Sequence, residues 1–191
     1  MNRNYLRHFT ASLVLGLALV GLYDNARAGP LPNTPAAMRQ QLNQYLFDAA
    51  RSGSVPMLKE FAAAGYNLNS ADDRGYTPLI LAAYHGQAEA VTLLMQSGAD
   101  PCAEDHRGNT ALMGAIFKGE VSIARQLMAA DCNPNHRNNA GQTPAMYAAL
   151  FGRMELLSGL AARGADLAAS DAQGNTAAAL ARGEIRVNPP R

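Results

Sequence analysis

Four glycines, Gly75, Gly108, Gly141 and Gly174, stand 33 residues apart, and two residues after each stands a threonine: Thr77, Thr110, Thr143 and Thr176. The surrounding octapeptides align column by column: Asp72–Leu79 (DDRGYTPL), Asp105–Leu112 (DHRGNTAL), Asn138–Ala145 (NNAGQTPA) and Asp171–Ala178 (DAQGNTAA). A second glycine column runs through Gly86, Gly119 and Gly152. A fixed period of this length is the strongest constraint in the chain. A unit so short cannot cover its own apolar face, so like units must stack into one continuous core.

Each unit reads as a pair of helices. Thr77-Pro78 opens the first, with Thr placed to cap free amides and Pro suited to the first helical position. Leu79, Ala82 and Ala83 form an apolar stripe at helical spacing. Gly86 ends that helix in a left-handed cap. Val91, Leu94 and Met95 give the second helix its inner face, and Gly98 ends it. Small alanines let neighbouring helices approach closely. Composition agrees: 48% of residues are apolar, 16% are charged and the net charge is +1. Such a chain is neither disordered nor a polybasic nucleic-acid binder. Two cysteines exclude a disulfide-dense miniprotein.

The unit resembles the ankyrin repeat, which opens with D-x-x-G-x-T-P-L and returns through L-L-x-x-G-A-D. Leu93-Leu94-Met95-Gln96-Ser97-Gly98-Ala99-Asp100 carries the return in full, and Arg163-Gly164-Ala165-Asp166 repeats its end. The resemblance covers residues 46–182 and implies an all-α solenoid of helix-turn-helix repeats joined by β-hairpin loops. Its repeats span 46–71, 72–104, 105–137 and 138–170, with a truncated cap at 171–182. The first is phased by Leu46, Ala49, Ala50, Gly53, Phe61 and Gly65. Residues 29–45 hold a leader and a capping helix that starts at Thr34-Pro35 and runs towards Arg51. Its inner face carries Met38, Leu42, Tyr45, Leu46 and Ala49; Gln40, Gln41, Asn43 and Gln44 form the polar outside expected of a terminal unit. Residues 183–191 form a tail, expected to fray from Arg186 onward. The histidine usual after Thr-Pro-Leu is replaced by Ile80, Met113, Met146 and Ala179. Met113 and Met146 are expected to fill the core and touch across the stack.

Residues 1–28 read as an address. Arg3, Arg7 and His8 form a basic start, Ala11–Leu22 is an uncharged apolar run, and Ala26-Arg27-Ala28 fits a cleavage site. This is the three-part secretory signal, and its apolar run is shorter than the ~20 residues of a membrane span. Cleavage after Ala28 would remove three arginines and one aspartate, leaving the mature chain slightly acidic. The expected product is a soluble monomer in an oxidising compartment, the periplasm of a Gram-negative cell, with no membrane insertion.

The resemblance also implies function by protein binding, through hairpin tips and the concave face of the first helices. The tip candidates are Asp73, Arg74 and Tyr76; His106, Arg107 and Asn109; and Asn139, Ala140 and Gln142. The helix candidates are Tyr84 and His85, Phe117 and Lys118, Leu150 and Phe151. Tyr84, Phe117 and Leu150 share one repeat position, so stacking aligns them as an apolar ladder, exposed for binding or folded against neighbouring repeats. Exported relatives of this kind resemble two themes: accessory factors of an envelope enzyme such as a catalase, and immunity proteins against an envelope-targeted toxin.

Cys102 and Cys132 lie 30 residues apart, in the loops after the second helices of adjacent repeats. Three states are open to them. An oxidising compartment favours a disulfide, worth about 3 kcal/mol in the chain-entropy picture. Free thiols are a second state. The third is a metal or redox site, because Cys102-x3-His106 and Cys132-x3-His136 form a weak Cys2His2 set. No cofactor is implied. Nucleophile-elbow, zinc-protease, P-loop and dinucleotide-binding motifs are missing, and Glu60, Glu89, Glu104, Glu120 and Glu155 scatter as surface charges. A non-enzymatic role is expected.

Overall fold

The computed structural model describes residues 34–187. The leader and signal, and residues 188–191, lie outside that range. Nine helices are seen among the described residues: α1 (Pro35–Ser52), α2 (Val55–Ala63), α3 (Pro78–Tyr84), α4 (Ala88–Gln96), α5 (Ala111–Lys118), α6 (Val121–Met128), α7 (Pro144–Leu150), α8 (Met154–Ala162) and α9 (Ala177–Ala181). First helices pack on first helices in the order α1, α3, α5, α7, α9; second helices pack in the order α2, α4, α6, α8. The result is the two-layered solenoid that the period demands.

Two side-chain types build this order. Ala82, Ala83, Ala115, Ala148, Ala149 and Ala177 are almost wholly buried between first helices, where the absence of side-chain bulk sets the helix separation. Leu79, Leu94, Ile116, Ile123, Leu156 and Leu160 fill the space between layers. Met113 and Met146 are buried, as the core reading of that column expects. Each Thr of the repeat caps its helix: Oγ1 of Thr77, Thr110, Thr143 and Thr176 accepts from the amide three residues on, at 3.3, 3.5, 3.3 and 3.1 Å. Each such cap is worth about 1 kcal/mol.

The tips explain the remaining columns. Asp72 turns its carboxylate into its own loop, where Oδ1 accepts from the amides of Arg74 and Tyr76 at 2.9 Å each. Asp105, Asn138 and Asp171 do the same in the later tips. Gly75 closes the turn at φ 81°, in the left-handed region that other residues enter at a cost. It has a second reason to be glycine. The amide of His106 donates to the carbonyl of Arg74 at 2.9 Å, tying one tip to the next. A Cβ on Gly75 would stand 2.6 Å from that same nitrogen. The amides of Asn139 and Ala172 extend the ladder onto Arg107 and Ala140 at 2.9 and 3.1 Å.

The loops pair across their tips, the amides of Asp72, Asp105, Asn138 and Asp171 donating to the carbonyls of Tyr76, Asn109, Gln142 and Asn175 at 2.9–3.1 Å, and two carry an isolated antiparallel bridge, Glu104 with Thr110 and Ser170 with Thr176, without extended strands among the described residues. Two expectations need correction. The tail is tethered at Arg186, whose amide donates to Asn175 Oδ1 at 2.6 Å and whose carbonyl accepts from Asn175 Nδ2 at 3.1 Å, while the fraying expected of residues 188–191 lies outside the described residues. The face of α1 taken as a plain polar outside instead lines a cleft, described below. Gly183, two residues before the expected column, follows the short α9 at φ 78°.

Gly75→Ala should cost at least about 2 kcal/mol, combining the left-handed penalty with the lost approach of the next tip. Gly98→Ala, at φ 88° with open space where its Cβ would lie, should cost about 1 kcal/mol. Urea unfolding of the two variants separates the conformational term from the contact.

Candidate functional site

The repeat position of Tyr84, Phe117 and Leu150 is exposed in all three units, at 39, 43 and 38%. Tyr84 and Phe117 stack nearly parallel, with centroids 6.1 Å apart and planes 13° from each other. Tyr84 also rests on Gly114 of the following helix: a Cβ there would lie 3.7 Å from its ring. The rings therefore pack on neighbouring repeats and keep an exposed face. The third aromatic rung is Phe151, not Leu150. Its ring meets Phe117 edge-on at 5.0 Å, and Tyr147, one turn earlier on α7, lies 5.9 Å behind it. Lys118 places its Nζ 5.1 Å from the Tyr84 centroid, a cation–π contact. His85 meets the same ring edge-on at 5.6 Å.

At the N-terminal end of the row, a cleft of about 640 Å³ opens between α1, the first tip and α3. It brings together five of the expected residues, Asp73, Arg74, Tyr76, Tyr84 and His85. Opposite them stand Gln40, Asn43, Gln44 and Phe47 of α1. Arg51 sits in the cleft wall, paired with Asp48 at 2.9 Å and Asp72 at 3.4 Å. The amide face of α1 is a site component that sequence reasoning missed. The signal is there in the pattern: a concave row that starts at Tyr84 must be bounded by the helix packed before it.

A second, shallower hollow of about 410 Å³ lies further along, lined by Arg107, Asn109, Asn138, Asn139, Ala140, Gln142 and Tyr147. Asn109 Oδ1 accepts from Asn138 Nδ2 at 2.9 Å and from the Tyr147 hydroxyl at 3.1 Å. Burial pushes the Tyr147 phenol above its ordinary pKa, opposed by its hydrogen bond with Asn138. It therefore stays a proton donor near neutral pH. His106 is exposed at its tip, where its carbonyl accepts from Asn139 Nδ2 at 3.0 Å.

Cys102 and Cys132 stand at disulfide distance, with Cα atoms 5.6 Å apart, within the range a bridge requires. They join the loop after α4 to the loop after α6. The alternative Cys2His2 set is not assembled. His136 Nε2 lies 2.7 Å from the carbonyl of Gly108 and its Nδ1 3.5 Å from Glu104. Both ring nitrogens thus have other neighbours, and no group of three or more metal-ligating side chains occurs among the described residues.

The family profile described as "Ankyrin repeats (3 copies)" matches residues 46–138 and again 112–185. The chain belongs to the ankyrin-repeat family. Its curated relatives match over short stretches. One is the human "DNA-binding protein RFXANK", 47% identical over 53 residues, which are 27% of this chain and 20% of that one. Another is the human "Ankyrin repeat and SAM domain-containing protein 4B", 43% identical over 53 residues, 28% and 12% of the two chains. A third is the mouse "Ankyrin repeat family A protein 2", 53% identical over 34 residues, 18% and 11%. This chain thus spans about a fifth or less of these relatives' lengths. What is shared is the repeat itself, and an ankyrin stack is a protein–protein interaction module. No helix among the described residues is long and apolar enough to cross a membrane.

Reduction of the cysteine pair should lower unfolding stability by about 3 kcal/mol. In the Cys102→Ser/Cys132→Ser variant that difference between reducing and non-reducing denaturation should vanish.

Proposed function

We propose that this ankyrin protein is exported and holds an envelope protein partner along its concave side, acting as a monomer with no catalytic step. The observation that carries the docking face is the aromatic row Tyr84–Phe117–Phe151, exposed at Tyr84 and Phe117 and half-buried at Phe151, flanked by the cleft and by the tips. Fixed aromatic side chains bury large areas on association and lose few rotamers. The tip ladder supports the same reading, because a rigid preorganised surface loses little ordering entropy when it docks. Export rests on the three-part stretch at residues 1–28 and on a cysteine pair of the kind oxidising compartments maintain. Within the envelope, an enzyme that needs an accessory factor is the partner class we propose. A toxin neutralised by the same face would appear as the captured protein in the experiment below.

The tests are direct. Expressed with its own N-terminus, the protein should be recovered from the periplasm with a mass beginning at Gly29. Captured from the envelope fraction, it should bring down a defined partner identifiable by mass spectrometry. Tyr84→Ala and Phe117→Ala should each weaken that complex at least about tenfold. Because both rings are about two-fifths exposed, the variants should keep a thermal midpoint within a few degrees of the parent. Loss of folding with normal binding of the folded fraction would sink the proposal.

A further inference from the structure

The junction between the second and third full units differs from its neighbours, and the difference lies in the loops that follow the second helices. Asn69, Cys102 and Asn135 occupy one repeat column, 33 residues apart. Asn69 Oδ1 accepts from the amide of Asp100 at 2.8 Å, tying the loop after α2 to the loop after α4. Asn135 ties the loop after α6 to the loop after α8 in the same way. Its Oδ1 accepts from the amide of Asp166 at 2.7 Å, and its Nδ2 donates to the carbonyl of Gly164 at 3.0 Å. Cys102 has no side-chain amide with which to do this. Among the described residues the amide of Asn133, in the column of Asp100 and Asp166, donates to no side chain of the unit before.

A second lock is missing at the same place. Helices α2, α4 and α8 are followed by Gly65, Gly98 and Gly164 in left-handed backbone, and the next amide folds back onto the helix: Tyr66 to Phe61, Ala99 to Leu94 and Ala165 to Leu160, at 2.9–3.0 Å. That bond closes the helix end. In the third unit Asp131 holds the glycine position without a positive φ, and the corresponding bond from the amide of Cys132 to the carbonyl of Leu127 is not made.

One feature fills both gaps. Cys102 stands in the asparagine column, Cys132 stands beside Asp131, and their sulfurs meet. We propose that the bond between them is the lock of this junction, so that the second and third full units form a redox-operated joint. The loops after α4 and α6 are fixed when the bridge is formed and loose when it is reduced. Other ties persist in both states. The amide of Asn139 donates to the carbonyl of Arg107 at 2.9 Å, Asn138 Nδ2 to Asn109 Oδ1 at 2.9 Å, and Thr92 Oγ1 of α4 to Gln126 Oε1 of α6 at 3.4 Å. Reduction therefore opens one side of one junction and leaves the stack assembled.

The sulfurs are within reach of a reductant. Both cysteines are half-buried, in the wall of a hollow of about 140 Å³ shared with Pro101, Leu112, His136 and Pro144. A dithiol supplies the chemistry. One of its thiolates attacks a cysteine sulfur, the Cys102–Cys132 bond breaks, and a mixed disulfide forms; the second thiolate then displaces the cysteine still bound. Two electrons and two protons pass to the protein, which ends with two thiols, while the dithiol ends as a disulfide.

Hydrogen exchange read by mass spectrometry on the mature protein, with and without dithiothreitol, tests the joint. Reduction should speed exchange at least about tenfold in residues 99–105 and 129–137. The equivalent loops at residues 64–71 and 162–170, held by Asn69 and Asn135, should change by less than about twofold. Cys102→Ser/Cys132→Ser should exchange like the reduced protein without any reductant. Cys102→Asn/Asp131→Gly/Cys132→Ala, which gives this junction the residues of its neighbours, should recover slow exchange there and ignore dithiothreitol. If all four loops speed up together, the bridge stabilises the stack as a whole and the joint is wrong. Exchange that reduction leaves unchanged overturns the proposal, as does a bridge that dithiothreitol cannot reduce in the folded protein. A triple variant as fast in these loops as the serine pair overturns the assignment of the two missing locks.

Discussion

Everything in this molecule depends on how close one tip comes to the next. The amide of His106 reaches the carbonyl of Arg74, and Asn139 and Ala172 repeat the contact further along. That approach is possible because Gly75, Gly108 and Gly141 offer no Cβ at the crossing point, where one would stand 2.6, 3.0 and 3.2 Å from the following tip's backbone. Close tips fix the separation of the first helices, and that separation admits only alanine along much of the interface. The same separation brings Tyr84, Phe117 and Phe151 within ring contact. The functional face and the fold thus share one dimension, set by backbone.

Much of this is legible in the amino-acid order alone. A column of Asp or Asn, Gly and Thr at fixed spacing encodes a turn centred on a side-chain oxygen, a left-handed closure and a helix cap, and each works locally. Local chemistry repeated in phase is what sequence displays best. The alignment of Tyr84 with Phe117 follows from phase alone. Phase fails where the stack departs from strict repetition. Leu150 holds the third ladder position, but Phe151 fills the rung because Tyr147, four residues earlier, supports its ring. Arg186 lies beyond the last full unit, and its tether is the pair of hydrogen bonds to the Asn175 side chain, which has no periodic trace.

The amide-rich face of α1 teaches a related lesson. A terminal unit has one side towards solvent, and Gln40, Asn43 and Gln44 suit that side by composition. They also suit a concave wall, which is wet as well. Hydropathy cannot distinguish a convex surface from a cleft, because both face water. The distinction is one of curvature, and curvature belongs to the stack as a whole.

The Cys102–Cys132 connection has a consequence for how the stack comes apart. A solenoid held by nearest-neighbour contacts opens from its ends, one unit at a time. The bridge lies between the second and third of its full units, near the middle. Peeling from the short α9 end can proceed through α7 and α8 and then meets a covalent stop. Peeling from α1 meets the same stop from the other side. With the bridge formed, excursions that would part the second and third units down to their connecting backbone leave them joined at a second covalent point, which keeps α3 and α5, the helices that carry Tyr84 and Phe117, tied to one another's repeats.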